Sequence, residues 1–272
     1  MKIDKHRLFQ LPAIHLSRGG HLSRDEGMCA MEAAAWLAGE EHSYRSKYVS
    51  VVLREPLVKL NDGLDDAWRQ KLLPFVPRIL GTMDDGKDEA RRWLATDWLL
   101  RVHTPAWLDA GGMTEIAADI RALPKVCDLA SLRAAKNRLK EARKCSDTAS
   151  AGAGSAIGKV ARAGAWYAAR EAVRDLSWYT AYAAIPVMPV AHSEEIVAGI
   201  TAKLVAARVA YLSAVSSAKI VAAKAVAETG DLDVDRHSAF DAAYKQFRPI
   251  RRLLRASVFK LLVNMIDPQP NK

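Results

Sequence analysis

The sequence predicts an all-α protein, a multi-helix bundle whose C-terminal half contains long Ala-rich helices. Alanine dominates the apolar residues, and it favours helix because its side chain loses little entropy there. Aromatic residues, which favour strands, make up only 7% of the chain. No pair of alternating apolar segments indicates a sheet. Half of the 272 residues are hydrophobic, which is enough to bury a core.

The first predicted helix begins after Ser23. Glu26 follows Ser23 by three residues, which is the spacing of a capping box, and small apolar residues continue from there to Ala38. Gly39 then suits the left-handed position that ends many helices. We therefore expect one helix between Ser23 and Gly39, with Cys29 more than a turn inside it.

Prolines and a turn sequence divide the next part of the chain into short helices. Pro56 predicts a kink or a restart, because proline lacks the N–H that a helix interior needs. Asn61–Gly63 is a turn sequence. Pro74 and Pro77 then separate two further short helices.

The strongest amphipathic signal in the first half of the chain begins near Asp88. Its apolar face is formed by residues at helical spacing: Trp93, Leu94, Trp98 and Leu99. Pro105 starts another short helix at a position where its missing N–H costs nothing. A helix over 114–123, stopped by Pro124, follows.

The C-terminal half is predicted to be helical throughout, apart from breaks. A basic helix covers 129–146, and the small-residue segment 148–158 follows it as a linker. The remaining predicted helices are 158–184, 194–228, 235–247 and 250–266. Their alanines permit close approach between helices but bury little area each.

These elements group into three predicted regions. An N-terminal extension covers 1–20, a helical module covers 21–124, and a basic and Ala-rich long-helix region covers 125–272. The first boundary lies just before the first predicted cap, and the second follows Pro124, where the composition changes.

Charge and cysteine usage indicate the setting of the protein. A net charge of +9 favours anionic partners. Three cysteines without a CxxC spacing suit a reducing compartment. The N-terminus lacks the apolar core of a signal peptide, and no segment of about 20 residues is free of charge, as a membrane span requires. We therefore expect a soluble cytoplasmic protein without membrane association.

Cys29 is the candidate nucleophile, with His103 or His42 as the base of a hydrolase or transferase. A nucleophilic thiol needs a lowered pKa, which a helix start or a nearby cation can provide. Carboxylates at helical spacing, Glu32 among them, would instead raise the pKa of the Cys29 thiol. A restart of the helix at Gly27 would bring the thiol back to a helix start. Without such a restart, the sequence favours a buried, unreactive cysteine.

We expect neither a metal nor a cofactor. The cluster of Glu32, Glu40, Glu41 and His42 lacks the HExxH or ExxH spacing by which one helix face holds a metal. The segment "GAGSAIGKV" at 152–160 misses both the GxxxxGK and the GxGxxG spacings, and no strand precedes it.

Two basic segments are the candidate anion-binding or partner-binding surfaces. Their cations are Arg133, Lys136, Arg138, Lys140, Arg143 and Lys144 in the first, and Arg248, Arg251, Arg252 and Arg255 in the second. The second is predicted as an amphipathic helix, with Leu253 and Leu254 on its apolar face and the arginines opposite. Such helices lie along nucleic acid, rest on an acidic partner, or expose a solvated polar face. No zinc-finger, RNP or KH motif indicates sequence-specific recognition.

Several phrases in order resemble a family of bacterial and phage proteins without an established activity. They are "GMCAMEAAAWLAGEEHS" at 27–43, "LND" at 60–62, "LLPFVPRILGT" at 72–82, "DWLLRVHTPAWL" at 97–108 and "LLRASVFKLLVNMI" at 253–266. In that family a similar N-terminal block precedes an Ala-rich helical tract and a short closing helix. The resemblance covers about a third of the chain. It implies a bacterial or phage intracellular setting and no functional residues.

The expected function is that of a non-enzymatic helical interaction protein. It would bind a host macromolecule, for example to inhibit a host system, through its basic and Ala-rich helical faces. A protein partner is expected, with non-specific nucleic acid as the alternative ligand. Two other functions stay open at this point, a Cys-dependent hydrolase or transferase and a structural or self-assembling phage component.

Overall fold

The all-α fold is confirmed for the residues that the computed structural model describes, which are 3–110, 112–151, 245 and 248–269. These residues form helices and turns, and extended pairing among them is limited to one isolated bridge between Leu16 and Met28. The long Ala-rich helices predicted between 158 and 244 lie outside the described residues.

The described residues fall into two compact units. Unit 1 includes 3–95 and 261–269, and unit 2 includes 96–151, 245 and 248–260. The α-helices in chain order are α1 Lys5–Gln10, α2 Ala30–Leu37, α3 Val51–Gly63, α4 Asp66–Gln70, α5 Val76–Ile79, α6 Asp88–Trp98, α7 Thr104–Ala110, α8 Thr114–Arg121, α9 Leu129–Ala151 and α10 Arg248–Ile266. Single 3-10 turns cover Leu11–Ala13 and Leu73–Phe75, and a single π-helical turn covers Leu99–His103.

Helix α2 is the most deeply buried helix of unit 1, since all eight of its residues are buried. Its predicted start at Ser23 is wrong. Gly27 has a φ of +136°, a left-handed backbone conformation, and the helix begins only after Cys29. Its predicted end is confirmed, because Gly39 has a φ of +75° and its N–H bonds to the carbonyl of Trp36, as in a Schellman motif.

Helix α3 continues through two predicted breaks. Pro56 lies inside it, and the predicted turn at its end is instead the last helical turn, which reaches Gly63. The helix is held by a buried apolar stripe at helical spacing: Val52, Leu53, Leu57 and Leu60. Burial of this stripe compensates for the backbone hydrogen bond that proline removes.

The buried face of α6 differs from the predicted one. Arg91 is fully buried, whereas Trp93 and Leu94 are half-buried. Trp98 and Leu99 are buried as predicted. Arg91 can be buried because its charge pairs with two carboxylates. The spacing of apolar residues gives no information about such pairs.

The helical path that begins with α6 is not interrupted before Pro105. Leu99–His103 forms a π-helical turn that leads directly into α7, so Pro105 occupies an early position of that helix. The Thr104 hydroxyl donates a hydrogen bond to the carbonyl of Leu99 at 2.8 Å. The wider turn thus keeps the backbone satisfied without a break in the helical path.

Helix α9 is longer than predicted. It runs five residues past the expected end at 146, into the segment expected to be a linker. Among the described residues, no helix combines the length and the apolar character that crossing a bilayer would require.

Candidate functional site

The carboxylate of Glu32 is the centre of a buried polar cluster in unit 1. Its Oε2 accepts hydrogen bonds from the backbone N–H of Cys29 at 2.8 Å and from the His21 Nδ1 at 2.8 Å. Its Oε1 accepts from the backbone N–H of His21 at 2.9 Å. The Glu32 side chain is 1% exposed. We call Cys29, Glu32, His21 and His42 the Glu32 cluster.

Glu32 is held in its charged form. Burial is the largest single influence and raises its pKa, but the hydrogen bonds from Cys29 and His21 together outweigh burial and lower the pKa. Because a carboxylate accepts and cannot donate, the Nδ1 of His21 must carry a proton. The cluster is therefore an anion surrounded by donors.

His42 joins the same cluster from the loop after α2. Its Nε2 donates a hydrogen bond to the backbone carbonyl of His21 at 3.1 Å and lies 3.8 Å from Oε1 of Glu32. Its Nδ1 is buried and has no hydrogen-bond partner among the described residues. Cys29 and His42 therefore both contact Glu32, whereas the thiol-enzyme hypothesis required a contact between the Cys29 thiol and the histidine ring.

Two residues fix the loop that precedes α2. A Cβ at Gly27 would lie 3.0 Å from the ring of His21 and from the Ser17 hydroxyl, so no larger residue fits there without a shift. The Asn61 side chain accepts from the N–H of Ala30 at 3.1 Å and donates to the carbonyl of Ser17 at 2.8 Å. Asn61 therefore ties α3 both to the loop and to the start of α2.

Cys29 occupies the N-cap of α2, and yet its environment opposes ionisation. Its Sγ accepts a hydrogen bond from the N–H of Glu32 at 3.4 Å. The residue is 3% exposed, and burial together with the nearby Glu32 carboxylate raises the pKa of the thiol to about 12. The helix start that could have activated this thiol is present, but desolvation outweighs it.

His103, the other proposed base, lies in unit 2 and is fully buried. Its Nε2 accepts a hydrogen bond from the Trp107 Nε1 at 3.2 Å, and its ring is tilted against Trp98 at a centroid distance of 5.4 Å. These contacts make His103 part of the interior packing of unit 2.

Cys29 should resist alkylation while the protein is folded. At about pH 8, iodoacetamide should modify Cys127, which is half-buried, much faster than Cys29, because Cys29 is buried and carries almost no thiolate. In urea both thiols should react at the same rate. Peptide mass spectrometry at timed intervals measures both sites in one sample. Modification of folded Cys29 as fast as Cys127 at about pH 7 would revive the thiol-enzyme hypothesis.

The acidic residues near the cluster have structural partners or face solvent. Glu40 accepts from the Ser46 hydroxyl and from the Lys47 N–H, and Glu41 is exposed. Among the described residues, no three histidine, cysteine, aspartate or glutamate side chains are placed to hold a metal ion.

Helix α9 presents the first basic segment on its outer side. Its inward face is a stripe of four buried residues: Leu132, Ala135, Leu139 and Ala142. Arg133, Arg138, Lys140 and Lys144 are exposed and Lys136 is half-buried, while Arg143 belongs to the same helix. Buried leucines on one side and cations on the other fix the orientation of this helix.

Ion pairing divides the cations of α9 into two groups. Arg138 contacts Glu141 at 2.8 Å and Asp119 at 3.7 Å. Arg133, Lys136 and Lys140 form no ion pair with any residue that the structure describes. We call these three residues the basic row.

The second basic segment, on α10, is less regular than predicted. Arg248 and Arg252 are exposed and Arg251 is half-buried. Arg255, expected on the polar face, is buried, and Leu253, expected on the apolar face, is 55% exposed. The predicted division of the two faces is therefore wrong at these two positions, and Arg255 is not available as a surface contact.

No protein family, characterised protein or solved structure matches this chain in comparisons of its sequence and structure. The fold and the two candidate sites therefore define an all-α protein with a buried thiol and an exposed basic helix. The role of Glu32 was not predicted from the sequence. The signal that could have revealed it is the Cys29-x-x-Glu32 spacing, which is that of a capping box with a cysteine at the cap.

Proposed function

We propose that this chain is a non-enzymatic helical interaction protein that binds an anionic macromolecule of its host through the basic face of α9. The observation that carries the proposal is the basic row. Its three cations lie on one helix whose opposite face is buried, and none of them is neutralised by a described carboxylate. Exposed, uncompensated positive charge attracts anionic partners and accelerates their association.

The Glu32 cluster supports the same proposal by its chemistry. A general base or nucleophile must be reachable by its substrate. Here the Cys29 thiol is buried and protonated. The Glu32 carboxylate accepts hydrogen bonds from three donors of its own loop and helix. These residues stabilise the start of α2, which favours a binding surface over catalysis at this cluster.

The proposed setting is the bacterial cytoplasm, with a phage or bacterial origin. Cys29 and Cys127 are free thiols, which is usual in a reducing compartment. The resemblance of residues 27–108 to bacterial and phage proteins favours the same setting.

Photo-crosslinking at Asn137 tests the proposal. Asn137 is exposed and lies among the basic row, so a benzoylphenylalanine at this position should form an adduct with the partner in bacterial cells. The adduct should be lost when the basic row is changed by R133Q, K136Q and K140Q. Nuclease or protease digestion of the adduct then identifies its chemical class.

The matched control places the same crosslinker at Glu115, which is exposed on α8. This position should give no adduct that depends on the basic row. An adduct at Asn137 that persists after all three substitutions, or no adduct at Asn137, would refute binding through α9.

A further inference from the structure

The basic row has a regular spacing along α9. Arg133, Lys136 and Lys140 are separated by three and four residues, which places them on one side of the helix. At 1.5 Å per residue, the row extends about 10 Å along the helix axis. Lys144 continues it by one more turn on the same side.

This spacing fits a nucleic acid strand. One strand of duplex DNA presents a phosphate about every 3.4 Å of rise along the duplex axis, so about 10 Å of axis contains about three phosphates of that strand. The row thus offers three cations over the length of three anions. An acidic protein surface has no comparable fixed repeat of charge.

The composition of the exposed face of α9 also favours nucleic acid over protein. The uncharged residues described as exposed on α9 are Ala130, Ala134 and Asn137, and no aromatic residue occurs within the helix. Protein–protein interfaces concentrate aromatic residues and exclude charge from their centres. Nucleic-acid interfaces are polar and strongly positive.

We infer that the basic row binds the phosphate backbone of a nucleic acid duplex, without reading its sequence. This inference rests on the proposed function and names its ligand class. Each lysine or arginine in contact with a phosphate releases a counterion, so the affinity must fall steeply as salt is added. The phosphate oxygens are common to DNA and RNA, and contacts to them carry no sequence information.

Fluorescence anisotropy with labelled duplexes of about 24 base pairs tests the inference between about 50 and 200 mM NaCl. Two duplexes of equal composition and scrambled sequence, each made as DNA and as RNA, serve as probes. Wild type should bind the scrambled pair equally. The variant R133Q/K136Q/K140Q should bind at least about tenfold more weakly at low salt, and its log–log salt slope should be shallower by about 2 to 3, since each phosphate contact contributes about 0.9.

The control variant K5Q/R18Q/K59Q removes the same charge, one arginine and two lysines, from exposed positions of unit 1. Its salt slope should stay close to that of wild type. Circular dichroism should show equal helix content in both variants, since all six positions lie at the surface or partly exposed.

Poly-glutamate, as a fifth probe, distinguishes failure of the inference from failure of the proposed function. Binding to poly-glutamate but to neither duplex type would overturn the inference and leave an anionic protein as the partner. Binding to no probe would count against both. Duplex binding that R133Q/K136Q/K140Q leaves unchanged, or that differs strongly between the scrambled sequences, would also overturn the inference.

Discussion

Replacing Arg91 with methionine should destabilise unit 1 by about 3 kcal/mol, because it removes the buried cation that pairs with two partly exposed carboxylates and the donor to a buried backbone carbonyl. The Arg91 side chain is fully buried, and its guanidinium contacts Asp85 at 2.5 and 2.7 Å and Asp88 at 2.8 Å. Its Nε donates to the backbone carbonyl of Met265 at 2.8 Å. Methionine fills a similar volume, but it removes the cation from both carboxylates and the donor from this carbonyl.

The same guanidinium joins sequence segments that are far apart. The bond to Met265 fixes the end of α10 that belongs to unit 1, 174 residues away along the chain. Loss of this bond should therefore expose backbone amides near Met265 as well as near Asp85. Urea unfolding gives the overall loss, and hydrogen exchange of peptides from both segments shows whether they loosen together.

Lys87→Met is the matched control for Arg91. Lys87 lies four residues earlier and contacts Asp267 at 2.9 Å, so it also joins the chain before α6 to the segment after α10. Both partners of this pair are largely exposed, however, and exposed pairs contribute little. The urea midpoint should change little in the Lys87 variant. If the two variants lost equal stability, the burial of Arg91 would not be the cause of its effect.

The all-α class was predictable because it depends on composition and local spacing. Alanine content and the glycine at 39 act on residues close to them in sequence, and the structure agrees with both predictions. Pro74 lies between α4 and α5 as predicted, whereas Pro77 lies in the first turn of α5 and does not separate two helices. The basic face of α9 was predictable for the same reason. Leu132 and Leu139 repeat at helical spacing opposite the cations, so the sequence alone orients the helix.

The start of α2 could not be chosen from local sequence. Two segments share the x-x-Glu spacing of a capping box, Ser23 to Glu26 and Cys29 to Glu32. Serine is a common N-cap residue and cysteine is not, so the local preference favours Ser23, whereas the observed N-cap is Cys29. The second is selected by Asn61, which binds the first N–H of α2 from 31 residues away.

Buried charge was missed for a related reason. Arg255 was predicted on a polar face and Arg91 was not part of the apolar face predicted for α6, because helical spacing measures hydropathy and carries no information about distant partners. For Arg91 the partners are Asp85, Asp88 and a carbonyl near the end of the chain. The ion pairing of Arg138 could not be predicted either, because one of its partners, Asp119, lies on α8. This contact excludes Arg138 from the basic row.

Glu32→Gln should destabilise unit 1 by about 2 to 4 kcal/mol at about pH 7, because the change leaves buried donors without an acceptor. Three donors converge on the two oxygens of Glu32, namely the N–H groups of Cys29 and His21 and the His21 ring. A glutamine offers one oxygen and an NH2 group, so at least one donor would face another donor. Urea unfolding of both proteins measures the loss.

Glu26→Gln is the control for this substitution. Glu26 also accepts a backbone N–H bond, from Leu22 at 3.0 Å, but it is exposed, so water can replace the bond. Its unfolding midpoint should stay close to that of wild type. Equal losses in the two variants would mean that burial of the Glu32 carboxylate does not matter.

The pH dependence of the Glu32 variant follows from the direction of its pKa shift. The pKa of Glu32 is lowered in the folded protein, so the unfolded chain takes up a proton first as the pH falls. The stability contributed by the carboxylate is therefore complete above the unfolded pKa of about 4.3 and is lost as the pH falls through the lower folded value. The difference between wild type and Glu32→Gln should shrink as the pH falls below about 4. A difference that stayed the same down to about pH 3 would show that the substitution acts through shape and not through the charge of this carboxylate.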